Sequence, residues 1–231
     1  MRADGRVVSG SPVASYPGKT LFDRGLALLL LVLLSPLALA VALAVRLTMG
    51  SPVLFRHSRP GLFEKPFTML KFRTMSDRRG PDGRLRPDGE RITRFGAFLR
   101  RTSLDELPEI LNVIRGDMSF VGPRPLVTEY LPFYTPRERL RFNALPGITG
   151  LAQVKGRNFL GWDTRLALDV AYVEGISPWL DFRILLETAW VVLLRKGVSA
   201  DADQAETWLH EERASRGTAG TLQTGVTGNK E

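Results

Sequence analysis

Asp105 and Glu106 are adjacent carboxylates, with Arg100 and Arg101 just before them and Arg124 downstream in Gly122-Pro-Arg-Pro125. A carboxylate flanked by guanidiniums stays ionised at neutral pH. The same guanidiniums can hold phosphate oxygens in two-point contacts. A carboxylate that attacks a diphosphate is otherwise repelled by it, so arginines and a divalent cation are what such chemistry requires. The prolines on either side of Arg124 fix φ and lower the cost of ordering that residue. Lys71 and Arg73, in Lys71-Phe-Arg-Thr-Met75 at the end of an expected strand, supply two more cations. A plainer reading competes. Ser103-Leu-Asp-Glu106 fits a capping box with Ser103 as N-cap, and Leu104, Leu107, Ile110, Leu111 and Ile114 follow at helical spacing. Pro108, in the second turn, argues that the backbone bends there.

Composition removes several other chemistries. The 231 residues contain no cysteine and two histidines, His57 and His210. Thiolate nucleophiles, disulfides and cysteine-ligated zinc are excluded, and a multi-histidine metal site or a Ser-His-Asp triad is disfavoured. The work falls to carboxylates, hydroxyls or lysine. The net charge of +8 suits nucleic acid, anionic lipid headgroups or a phosphorylated substrate.

The elements that must position these residues divide into four stretches. Residues 1–18 are a flexible lead-in, and residues 19–48 form a membrane anchor. Residues 49–200 form a soluble α+β domain, and 201–231, poor in apolar residues, form a weakly ordered tail. From Leu26 to Val45 no residue is charged and ten of the twenty are leucine. That is the length of a membrane-crossing segment. Leucine alone contributes about −3 to −6 kcal/mol to insertion, enough to offset about 3 kcal/mol for a proline in a helix. Ser35-Pro36 interrupts the run, and Pro36 should free the carbonyl of Val32. A kinked spanning helix and a hairpin returning to the same leaflet both fit. The basic residues are balanced, with Arg2, Arg6, Lys19 and Arg24 before the run and Arg46, Arg56, Arg59 and Lys65 after it. That balance is expected if both ends stay cytoplasmic. In the soluble domain, Pro52–Phe55, Phe67–Leu70 and Leu151–Val154 read as strands, and 80–90 as an exposed loop. Helices are expected from Ser103, over Trp162–Val173 and over Asp181–Leu194. The last is apolar on most sides, which fits either a core helix or one lying on a membrane interface between Trp179 and Trp190.

Lys71-Phe-Arg-Thr-Met75, Thr102-Ser-Leu-Asp-Glu-Leu-Pro-Glu109 and Asn112-Val-Ile-Arg-Gly-Asp-Met-Ser-Phe-Val-Gly-Pro-Arg-Pro125 occur in that order, followed by Pro146-Gly-Ile-Thr-Gly-Leu-Ala-Gln-Val154 and Gly156-Arg-Asn158. Together they resemble the bacterial sugar transferase family, the small monotopic phosphoglycosyl transferases, over residues 19–200. The resemblance implies that Asp105 attacks the β-phosphate of a UDP-sugar and releases UMP. A polyprenyl phosphate then takes the phosphosugar from the enzyme. It further implies Glu106 as a Mg²⁺ ligand, and Arg100, Arg124 and Arg157, with Lys71 and Arg73, as phosphate- or nucleotide-binding residues. It implies a re-entrant membrane helical hairpin broken at Ser35-Pro36, and a mixed α/β catalytic domain with interfacial helices on the cytoplasmic face of the bacterial inner membrane. Membrane lipid is then a partner and nucleic acid is not; no oligomeric state is assigned. Two readings compete with the transferase. One is a membrane-tethered basic module that binds anionic lipid or nucleic acid without catalysis; the other is a phosphatase working through an aspartyl-phosphate.

Overall fold

The computed structural model describes residues 13–156, 160–193 and 208–214. A single long helix, α1 (Lys19–Met49), leads into the hairpin β1 (Leu54–Pro60) and β2 (Pro66–Phe72), paired antiparallel from Leu54↔Phe72 to Pro60↔Pro66. After the expected surface loop come the short α2 (Asp88–Arg91), then α3 (Arg94–Thr102) and α4 (Glu109–Arg115). Two three-residue strands, β3 (Ser119–Val121) and β4 (Gly147–Thr149), pair in parallel. The described helices end with α5 (Leu151–Lys155), α6 (Trp162–Glu174) and α7 (Pro178–Leu193), and with a helical turn over 209–214. The expected mixture of helix and sheet is present.

The expected break of a hairpin at Ser35-Pro36 is not seen: helix α1 carries through these residues as one helix of 31 residues. Its mean hydropathy peaks at 2.9, and it is long and apolar enough to cross a membrane. The carbonyl of Val32, which Pro36 deprives of its helical donor, accepts instead from the Ser35 hydroxyl at 2.8 Å. That bond lets the proline sit in the helix without an orphaned acceptor. One side of α1 lies against the domain. Ala27, with Leu26, Leu30 and Leu34, joins the core formed by Met69, Ile110, Val113 and Phe120. Val41 and Val45 join Phe72 and Leu99. The other side, including Leu28, Leu29, Val32, Leu33, Leu39 and Leu43, is exposed.

A buried polar cluster ties the start of α1 to the domain. Lys19 and the Tyr16 hydroxyl both donate to Asp181 of α7, as does the Tyr172 hydroxyl of α6, while Ser119 of β3 donates to Asp23. Helix α7 has one face in the core and another in the open. Ile184 is buried in the core, while Trp179, Phe182, Leu186 and Trp190, at spacings of three and four, form an exposed apolar stripe.

Three expectations need correction. Ser103 does not cap a helix that starts there. It ends α3 in the left-handed region (φ 55°), and its N–H is used by the carbonyls of Leu99 and Arg100. Leu104–Glu106 is a 3-10 turn with no side-chain cap, and α4 begins only after Pro108, a position where proline costs nothing. Leu151–Val154 is helix rather than strand. Val154 N–H bonds to Gly150 O at 3.1 Å, and Leu151 and Val154, three apart, share the face packed on the core. The expectation of a weakly ordered tail fails at residues 208–214. Leu209 is fully buried with Tyr130, Tyr134, Phe142, Trp162 and Leu166. Arg213 pairs with Glu138 at 2.6 Å and Asp163 at 2.9 Å.

Candidate active site

Helix α4 is locked to β2 by Asn112, a fully buried side chain at the middle of the helix. Its amide nitrogen donates to Thr68 O at 2.7 Å and its amide oxygen accepts from Leu70 N–H at 3.1 Å. Both bonds go to strand backbone, so the register between helix and strand is fixed. That places Lys71, at the end of β2, under the start of α4. Its ammonium meets Glu106 at 2.7 Å and Glu109 at 3.2 Å.

Arg124 arrives from the opposite side. Its loop is closely packed: Gly122 N–H bonds to Thr149 O at 2.9 Å and Gly147 N–H to Pro123 O at 3.0 Å. A Cβ on Gly122 would lie 2.2 Å from Leu145 O, so the approach requires glycine. The carbonyl of Arg124 accepts from Arg141 at 2.6 Å; Arg141 is itself buried in an ion pair with Asp169 at 2.8 Å. From this support the Arg124 guanidinium reaches Glu106 Oε1 at 2.9 Å, with nearly half of the side chain still facing solvent.

The three acids are thereby distinguished. Burial alone would raise the pKa of Glu106, but the charges of Arg124 and Lys71 prevail and hold it down at about 2. Glu109, 2% exposed, is pushed up to about 7 by burial, against the pull of Lys71 and with the help of the Glu106 charge. Asp105 is buried at 8% exposure, and burial raises its pKa, opposed by Lys71, Arg124 and Arg100. Among the described residues its carboxylate has no ion pair within 4.0 Å. The Glu106 charge, chiefly, raises the pKa of Arg124. The arrangement is a buried carboxylate, unengaged among the described residues, beside a second carboxylate that holds two cations.

Asp105, Glu106, Lys71 and Arg124 are thus brought together as the sequence led us to expect. Arg100 stands at the edge, its Nε donating to Thr74 Oγ1 at 3.1 Å. Arg73 is used elsewhere: it donates to Met75 O and Ser51 O and pairs with Asp77, fastening the turn after β2. Arg157 lies outside the described residues. Ser35 and Pro36 belong to α1, away from this cluster in the chain, and Ser35 serves the helix backbone. Sequence reasoning missed Glu109, Asn112 and Arg141. Glu109 three residues after Glu106 was a readable signal; the other two act through the fold and had none.

A magnesium ion usually binds one or two protein carboxylates together with substrate phosphates and keeps several waters. No cluster of three or more potential ligands gathers among the described residues. The anionic, partly exposed Glu106 fits the shared mode of binding.

The sequence profile described as "Bacterial sugar transferase" matches residues 14–195. A Bacillus subtilis (strain 168) protein named uncharacterized sugar transferase EpsL is 49% identical over 180 residues, covering 78% of this chain and 89% of that protein. A Caulobacter vibrioides UDP-glucose:undecaprenyl-phosphate glucose-1-phosphate transferase is 45% identical, covering 74% of this chain and 67% of its own length. The Salmonella typhimurium undecaprenyl-phosphate galactose phosphotransferase is 39% identical over 78% of this chain, which spans 41% of that longer protein. The match takes in α1, Asp105, Glu106 and Glu109 and the Arg124 loop alike, and the chain belongs to the bacterial sugar transferase family.

Proposed function

We propose that this enzyme transfers a sugar-1-phosphate from a UDP-sugar to polyprenyl (undecaprenyl) phosphate, through a phosphosugar held covalently on Asp105. Relatives at 39–45% identity are named for transfer of sugar phosphate to undecaprenyl phosphate. The observation that carries the reading is the division of labour between neighbouring acids. Glu106 engages both nearby cations, which leaves the buried Asp105 carboxylate uncommitted.

In the first half-reaction, an Asp105 oxygen attacks the β-phosphorus. The bond from that phosphorus to the bridging oxygen breaks, and UMP leaves with the electron pair. Lys71 and Arg124, already beside the acid, turn part of their charge toward the diphosphate and offset its repulsion of Asp105. Arg124, the more exposed, is the cation a ligand reaches first. Glu106 would hold Mg²⁺, which when bound screens the diphosphate charge. In the second half-reaction, an oxygen of polyprenyl phosphate attacks the same phosphorus and Asp105 leaves as carboxylate. One site thus serves a water-soluble donor and a lipid acceptor in turn.

The lipid acceptor requires the site to lie at the membrane surface, and α1, though one continuous helix, is read as a re-entrant anchor that enters the membrane obliquely and keeps both ends cytoplasmic. A helix of 31 residues is about 45 Å long, against a hydrocarbon core of about 30 Å. Its first half and its second half both pack on the same domain, which supports a shallow course over a crossing one. The exposed Trp179–Trp190 stripe of α7 adds a second surface suited to the interface.

The test uses the full chain in lipid nanodiscs with UDP-sugar and then polyprenyl phosphate. UMP should be released, and mass spectrometry should find a phosphosugar on the peptide containing Asp105 before the acceptor is added. Asp105→Asn should lose the adduct and at least about 1,000-fold in turnover. Release of UDP would overturn the mechanism, and phosphate release without acceptor would indicate a phosphatase. Labelling of a cysteine placed at residue 10 from the periplasmic side would refute the re-entrant anchor.

A further inference from the structure

Arg59 is a cation near the site for which the transferase reading has no use. It lies at the end of β1, paired with Phe67, and in this antiparallel register Arg59, His57 and Phe55 share a face with Phe67, Met69 and Lys71. The face that presents Lys71 to the acids therefore carries a second cation, displaced about 13 Å along the strand. Most cations around the site are engaged: Lys71 and Arg124 by Glu106, Arg139 by Glu64, Arg141 by Asp169. Arg59 has no hydrogen bond or ion pair among the described residues, and its Nε is buried without a partner.

An unpaired guanidinium half-buried beside another guanidinium is costly. Burial, followed by the charge of Arg124, lowers the Arg59 pKa, and Glu129 and Glu109 act in the other direction without touching it. The next two residues, Pro60 and Gly61, line a small cleft with Pro123, Arg124 and Pro125. The Arg124 loop and the end of β1 thus face each other across one opening. Arg59 does not itself line the cleft, but its charge and that of Arg124 act on each other, so an oxyanion held between the two guanidiniums would relieve both the repulsion and the unmet donor.

We propose that Arg59 is a phosphate-binding residue that closes on a substrate phosphate opposite Arg124. The inference rests on the transferase reading for the identity of its ligand. Two phosphates have the required chemistry, the donor's diphosphate and the acceptor's lipid phosphate, and the two half-reactions separate them.

Arg59→Gln should raise KM at least about tenfold in one half-reaction, as expected for loss of a charge-assisted hydrogen bond, and Arg59→Lys should recover part of the loss. A shift in adduct formation from UDP-sugar assigns the donor; a shift only in discharge of the preformed adduct by polyprenyl phosphate assigns the acceptor. A direct measurement on the wild-type chain covers the case of a variant that does not fold. Inorganic pyrophosphate should protect Arg59 from phenylglyoxal, read by peptide mass spectrometry. Folded Arg59→Gln with both half-reactions within twofold of wild type, or equal modification with and without pyrophosphate, would overturn the proposal. A wild-type chain that forms no adduct would sink the transferase mechanism, while protection of Arg59 by pyrophosphate would stand apart from it.

Discussion

Glu106 and Glu109 share Lys71, yet the same ammonium leaves one far below the usual carboxylate range and the other near neutrality. The difference is Arg124, which bonds Glu106 and not Glu109. Glu109 binds its proton more tightly folded than unfolded, so its contribution to stability is complete below about pH 4.5 and is lost as pH rises through about 7. The full window corresponds to about 3 kcal/mol. Glu109→Gln should therefore flatten the fall in stability between pH 5 and pH 7, measured by thermal melts at three pH values. A wild-type melt that rises over that interval relative to the variant would contradict this assignment. Glu106 has the opposite sign: its contribution is present above about pH 4.5 and disappears as pH falls towards 2. At this scale the sequence named Asp105, Glu106, Lys71 and Arg124 because charge type and motif order are local properties. It could not divide the cations between the two acids, since the partners lie 18 and 35 residues from Glu106.

Between elements, close backbone approach decides where Arg124 stands. The parallel pair β3–β4 is only three residues long on each side, and the loop after it is held by Gly122 against Leu145 and Gly147. Gly122→Ala would set a methyl carbon 2.2 Å from Leu145 O, and we expect a loss of about 1–3 kcal/mol together with a raised KM for UDP-sugar as Arg124 moves. Denaturant melts and half-reaction kinetics on the same preparation check both; a variant with wild-type stability would show that the strands can part there without cost. The helices over Trp162–Glu174 and Pro178–Leu193 were legible from periodicity, as was the hairpin strand around Phe67–Leu70. Leu151–Lys155 was not, because apolar residues at positions 151 and 154 satisfy a short strand and a helical turn equally. Ser103 misled for a related reason. A capping-box pattern describes which side chains are available, and here the preceding helix had already taken the Ser103 N–H.

Across the whole molecule, contacts run from the far end of the chain to the site. Leu209 seats in the aromatic core of Tyr130, Phe142 and Trp162, Trp208 packs edge-on to Tyr130, and Arg213 bridges Glu138 to Asp163. Glu138 belongs to the same 3-10 segment as Arg141, whose guanidinium holds the carbonyl of Arg124. Residues 208–214 lie beyond the stretch matched by the family profile, yet they brace a residue of the site from behind. Leu209→Ala should cost about 2–4 kcal/mol, seen as a lower denaturation midpoint of the full chain, and truncation after residue 207 should cost at least as much. Unchanged midpoints in both would mean that this segment does not dock.

The sequence by itself determined the long apolar segment, the acid pair, the cations that accompany it and the family, because length, hydropathy, charge and ordered motifs are written along the chain. Only the tertiary structure decided that Arg73 fastens a turn, that Asn112 and Arg141 support the site, that Arg59 stands without a partner among the described residues and that residues 208–214 pack on the core. The physical reason is that a side chain's type fixes which bonds it can make. Burial and the groups brought beside it by distant segments fix which of them it does make.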